Sequence, residues 1–158
     1  MKLVDIIDKN NIIPELQARD KKGVIEELAK VMSLHEPLIK ESALVKVLFE
    51  RERLGSTGIG DGVAIPHGKL TGVNNPVISF GRSREGLDFD SMDGQPTYLF
   101  LLLVAPANSS GIHLQVLAKI AKILKNGTLR SKLIEAKSRE ELYQILIQTD
   151  DESSSLLR

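Results

Sequence analysis

His67 closes an apolar run between a proline and a glycine, in "GSTGIGDGVAIPHGKL" from Gly55 to Leu70. Pro66 sets its own φ and restricts Ile65, while Gly68 carries no side chain to shield the ring. The imidazole is therefore stiffly held on one side and approachable on the other. A neutral imidazole is a nucleophile near neutral pH, with one ring nitrogen free to attack while the other donates a hydrogen bond. The sequence leaves open which nitrogen attacks. An attack on phosphorus needs positive charge and hydrogen-bond donors around the transferred oxygens. Arg51 offers a planar fork that keeps its proton, and its charge favours the neutral form of a nearby His67. His113 can bring a second imidazole together with the amide-rich start of a helix. Glycines 55, 58, 60 and 62 let backbone amides and an incoming protein surface come close. Taken alone, these residues also fit a structural or solvated histidine, an arginine at a helix end and an ordinary turn. His35, near a helix end, is given no role.

The elements that must position these groups are legible from periodicity and capping. Asp20 caps a helix over Lys21 to Leu34, with Val24, Leu28, Val31 and Met32 at helical spacing, and Pro37 ends it. A second helix runs from about Lys40 to Arg53; Leu44, Val47, Leu48 and Arg51 fall at i, i+3, i+4 and i+7, which puts Arg51 in the last turn. Val63 to Pro66 reads as a short strand with His67 at the turn where the chain leaves the sheet. "PVISFG" from Pro76 is another strand. "TYLFLLLV" from Thr97 is near-continuously apolar, as a central strand covered on both faces must be. Ser109 or Ser110 caps the next helix, whose Ile112, Val116, Leu117, Ile120, Ile123 and Leu124 form one stripe and whose first turn holds His113. Asn126-Gly127 stops it. Thr128 to Ala136 is a shorter helix, and Ser138 with Glu141 forms a capping box for a last helix through about Gln148.

Doubly buried strands interleaved with helices predict a single-domain α/β fold, a three-layer α/β/α sandwich. The polar, turn-rich "GRSREGLDFDSMDGQP" is too poor in helical periodicity to be a crossover helix, so the central sheet is expected to be mixed.

Composition removes several functions. The 158 residues, 42% of them hydrophobic, suit one domain. Lys plus Arg equals Asp plus Glu at 21 each, and only 4% are aromatic, which argues against nucleic acid. There is no cysteine, which is compatible with a reducing cytoplasm. Asp5 and Asp8 interrupt the first apolar run too early for a secretory signal. No segment approaches the roughly 18 apolar residues of a membrane span, so no direct membrane insertion is expected. The glycine spacing is not the dinucleotide fingerprint, and Leu70 stands where a phosphate-binding loop needs Ser or Thr. "DFDSMDG" misses the calcium-loop pattern, the histidines lack zinc spacing, and Ser56 is not in a hydrolase elbow. No metal or cofactor is expected.

"RERLGSTGIGDGVAIPHGKL" (51–70), "DSMDGQPTYLFLLLVAP" (90–106) and "GIHLQVLAKIA" (111–121) occur in that order. Together they resemble the enzyme IIA domains of the fructose and mannitol class of the bacterial phosphoenolpyruvate-dependent phosphotransferase system, including its nitrogen-regulatory branch. The resemblance covers residues 1–148, with 149–158 expected to be a flexible tail. It implies a cytoplasmic phosphotransferase whose His67 accepts a phosphoryl group on Nε2 from an HPr-type phosphocarrier. His67 would pass the group to an enzyme IIB partner serving sugar uptake. The alternative it implies is a nitrogen-regulatory enzyme IIA, a phosphorylation-gated regulator that binds a target protein without sugar transport. Arg51 aligns with the family's active-site arginine and His113 with its second active-site histidine.

Overall fold

The computed structural model describes residues 2–156, with side chains described through Asp150. After a 3₁₀ turn at Leu3–Asp5 come β1 (Ile7–Ile13), α1 (Lys21–His35), α2 (Glu41–Arg53), β2 (Gly58–Gly60), β3 (Val63–Ala64), β4 (His67–Leu70), β5 (Val77–Leu87), β6 (Thr97–Pro106), α3 (Ser110–Leu124), α4 (Gly127–Glu135) and α5 (Arg139–Leu156). The sheet order is β1-β5-β6-β3-β2, with β4 also paired to β6. The pairs β5/β6 and β2/β3 are antiparallel; β1/β5, β3/β6 and β4/β6 are parallel. The sheet is mixed, as expected.

β6 is apolar throughout because both its faces are covered. Leu99, Leu101 and Leu103 pack with Val116, Ile120, Leu133 and Leu146 of the α3–α5 layer. Phe100, Leu102 and Val104 pack with Val24, Leu28, Leu44 and Leu48 of α1 and α2. The period of two along a strand thus sorts neighbouring side chains into two cores and yields the three-layer sandwich.

The caps act as the residue types demand. Asp20 accepts the Gly23 amide at 2.8 Å. The Asn126 side chain accepts from Thr128 and Leu129, so the residue expected to stop α3 also starts α4. Ser138 Oγ accepts the Glu141 amide at 3.1 Å, while the Glu141 carboxylate reaches back to the Lys137 amide at 2.9 Å.

Strand extents differ most from expectation. β5 runs on through "GRSREGL", where a turn-rich link was expected, because β6 pairs with it from Val77↔Val104 to Leu87↔Thr97. β1 was not anticipated at all: its middle is polar and exposed, as suits an edge strand. The last helix, expected to stop near Gln148, continues to Leu156. Leu157 and Arg158 lie outside the described residues. Asp150 is buried, accepting the Leu3 amide at 2.6 Å and lying 2.7 Å from the Lys119 ammonium. Among the described residues no helix is long and apolar enough to cross a membrane.

Candidate active site

β3 and β4 form one path along β6. Val63↔Leu99, Ala64↔Phe100 and His67↔Leu103 keep a single register across the gap. The gap falls at Pro66, which has no N–H to give β6, although its carbonyl still accepts the Leu103 amide at 3.0 Å; the Ile65 amide faces the opposite neighbour and donates to the Thr57 carbonyl at 3.0 Å. His67 therefore opens a strand, where a turn leaving the sheet was expected. Alternation then places Val63, Ile65, His67 and Lys69 toward α3, and Ala64, Gly68 and Leu70 toward α2.

Gly68 has a different task from leaving the ring bare. A β-carbon there would lie 2.4 Å from Val47 Cγ1, so α2 rides directly on β4. Val47 and Arg51 are one helical turn apart, and the close approach at Gly68 carries Arg51 over His67.

Two contacts set the tautomer of His67. Its Nδ1 lies 2.8 Å from the Ile65 carbonyl, which can only accept. Arg51 Nε–H donates to His67 Nε2 at 3.2 Å, and a guanidinium can only donate. Both neighbours demand the proton on Nδ1 and the lone pair on Nε2. Arg51 is itself anchored by Nη1 donating to the Gly55 carbonyl at 2.8 Å. Burial of the half-buried ring lowers the His67 pKa from the ordinary histidine value; the Ile65 carbonyl opposes this, Arg51 adds to it and Glu52 opposes it. The balance keeps the imidazole neutral and nucleophilic near neutral pH.

His113 lies in the first turn of α3, as its spacing predicts. It is 6% exposed, and its ring stands edge-on to His67, 5.3 Å between centroids at 61°. Its Nδ1 is buried without a partner among the described residues. Burial lowers its pKa, with further lowering by His67 and Lys69. Ser109, the N-cap, donates its hydroxyl back to the Pro106 carbonyl at 2.8 Å, so no side chain caps the first turn of α3. The positive end of α3 and the buried His113 ring thus lie in the same first turn.

The structure thus brings all three expected residues together, from α2, β4 and α3. Of the glycine-segment amides, those of Gly55, Thr57, Gly58 and Asp61 are already engaged, by the Glu52 carbonyl, the Glu52 carboxylate, Ser56 and Asp93. Gly58 instead admits the backbone of Ser91, whose Cα would lie 2.9 Å from an added β-carbon. Sequence reasoning passed over two charged residues here. Lys69, on the His67 face of β4, donates to Ser110 Oγ at 2.7 Å; its i+2 spacing from His67 was the available signal. Glu52, beside Arg51, has a side chain only 5% exposed, and nothing local announces that burial. Among the described residues there is no group of three or more His, Cys, Asp or Glu that could hold a metal.

The surround is apolar as well as cationic. Leu54 is 85% exposed at the end of α2, and Ile112 and Leu114 flank His113 at 40% and 64%.

The model of the family described as "Phosphoenolpyruvate-dependent sugar phosphotransferase system, EIIA 2" matches residues 5–149. The chain is 39% identical over 147 residues to the nitrogen regulatory protein of Bradyrhizobium diazoefficiens, covering 92% of this chain and 95% of that protein. It is 35% identical over 150 residues to the fructose-specific EIIABC component of Bacillus subtilis; the match covers 95% of this chain and 24% of that longer protein. Among solved structures, the nitrogen regulatory protein IIA-Ntr from Neisseria meningitidis superposes with a TM-score of 0.85 at 36% identity, covering 91% of this chain and 98% of that one.

Proposed function

Because the chain belongs to the EIIA 2 family of the phosphoenolpyruvate-dependent sugar phosphotransferase system, we propose that His67 is the residue on which it carries its phosphoryl group. The protein is a phosphotransferase that works through a phosphohistidine intermediate. The observation that carries the assignment of His67 is the tautomer: Nε2 holds a lone pair and Nδ1 a proton, each set by a neighbour with no other option.

An HPr-type phosphocarrier supplies the group. As Nε2 attacks, the P–N bond of the donor's phosphohistidine breaks and the Nε2–P bond of His67 forms. The Nδ1 proton stays against the Ile65 carbonyl, so no proton has to enter or leave. Arg51 must release the lone pair first; with Nη1 still on Gly55, its Nε–H is then free to meet a phosphoryl oxygen. His113 and the start of α3 face the same oxygens. One phosphoramidate is exchanged for another, so the step is close to balanced and modest electrostatic terms can set its direction. Exposed Leu54, Ile112 and Leu114 suit transient docking of a donor and an acceptor protein in turn.

The acceptor is an enzyme IIB serving sugar uptake of the fructose or mannitol class. A second reading, a phosphorylation-gated regulator, is favoured by the identity to a nitrogen regulatory protein across 95% of its length. Reconstitution with phosphoenolpyruvate, enzyme I and HPr tests both. His67→Ala should abolish labelling, and undiminished labelling in that variant removes the assignment. Onward transfer to one member of a panel of enzyme IIB proteins marks a transport component; refusal of all marks the regulator.

A further inference from the structure

Glu52 follows Arg51 in the last turn of α2, yet its carboxylate turns away from His67. It accepts the Thr57 amide at 3.0 Å and, on its other oxygen, the Thr57 hydroxyl. The Lys21 ammonium lies 2.9 Å from Oε1. Lys21, the first residue of α1, is itself held 4.9 Å over the Phe89 ring and 3.7 Å from Asp90 Oδ2. A carboxylate so nearly removed from water must have its oxygens satisfied, and here they are.

What Glu52 holds leads to the reacting ring. Thr57 is 3% exposed, and its carbonyl accepts the Ile65 amide at 3.0 Å. That bond holds Ile65 from the side opposite β6, and the Ile65 carbonyl accepts the His67 Nδ1 proton at 2.8 Å. From the other side, Arg51 grips the Gly55 carbonyl at 2.8 Å. Two consecutive residues of α2 therefore clamp the 55–57 segment, one touching the imidazole directly and the other reaching it through two residues, Thr57 and Ile65.

Resting on the reading of His67 as the phosphoryl acceptor, we propose that Glu52, braced by Lys21, is a positioning residue that sets the His67 tautomer through Thr57 and Ile65. It touches neither the ring nor the phosphoryl group. Its charge acts separately, by opposing the effect of Arg51 on His67. A carboxylate that merely capped a loop would alter stability and leave the imidazole unchanged.

The test reads imidazole ¹⁵N shifts and the pH titration of His67 in the unphosphorylated full chain, alongside the rate of phosphoryl uptake from phospho-HPr. Glu52→Asp keeps the charge but is too short to reach Thr57. It should mix the two tautomers and slow uptake about tenfold or more, the usual result of misaligned reacting groups. Glu52→Gln keeps an oxygen for the Thr57 amide and loses the charge. It should retain the tautomer while the His67 pKa falls. Glu52→Ala should show both defects; if it does not fold, Glu52→Asp still decides. A wild-type tautomer together with wild-type uptake in Glu52→Asp overturns the proposal. The tautomer needs no phosphate to be seen. If wild-type His67 takes up no phosphoryl group, the functional reading fails, while the role of Glu52 is still judged from the shifts.

Discussion

Arg51 Nε–H donates to His67 Nε2 across 3.2 Å, so under the proposed function the nitrogen that would attack is held at rest by the cation that would then face its phosphate. The contact selects the nucleophilic tautomer and shields it at once. On that reading uptake would require only a short swing of one guanidinium, whose Nη1 stays anchored on the Gly55 carbonyl at 2.8 Å.

Replacing Arg51 with Ala removes one positioned donor and one positive charge. Phosphoryl uptake should fall about a hundredfold, as it does when a transition-state donor is lost elsewhere. Arg51 is one of the causes lowering the His67 pKa, so the variant's His67 should titrate at a higher pH than wild type. NMR titration reads the shift; a lower or unchanged value would contradict the electrostatic role.

His67 and His113 both have lowered pKa values, so the folded chain resists binding protons that the unfolded chain takes up near the ordinary histidine value of about 6.5. Stability contributed by these groups is therefore present above that pH and is lost as pH falls toward the folded values. His113→Asn should flatten the acid side of the melting-temperature profile. In the wild type, a phosphoryl dianion on His67 should reverse the local sign and raise the His113 pKa. A phosphorylated sample whose His113 titrates lower than before would refute this placement.

Gly68→Ala puts a methyl group where Val47 already stands. The strain should cost about 1–3 kcal/mol, as overpacking does. Because Arg51 lies one turn beyond Val47, α2 should lift and the Arg51–His67 contact lengthen. Denaturant melts measure the first effect and uptake rates the second. Loss of stability with wild-type uptake would mean that the helix does not set the arginine.

Asp150→Ala leaves the Leu3 amide without its acceptor and Lys119 without this carboxylate. Removing one side of a buried ion pair should cost about 3 kcal/mol. The melting temperature should drop while the tautomer of His67 stays as it was, since Asp150 belongs to the joint of α3, α5 and the N-terminal turn.

The sequence by itself determined much of the frame. Asp20 and Asn126 cap because their side chains reach amides two or three residues away. Pro66 breaks a strand wherever it falls, and the run from Thr97 is too apolar for anything but an interior strand. The grouping of His67 with Arg51 and His113 was legible through the resemblance of the 51–70 and 111–121 segments to a known family. Other features needed the assembled fold. β5 extends to Leu87 only because β6 offers it partners. Arg82, 2% exposed, is tolerable in the interior because Pro14 and Leu133 present carbonyls at 2.9 and 2.8 Å. Glu52 and Asp150 are buried because Lys21 and Lys119 come from distant helices to meet them. Capping and strand breaking act over a few residues and can be read locally. The burial of a charge depends on which distant groups arrive beside it, and packing in three dimensions alone decides that.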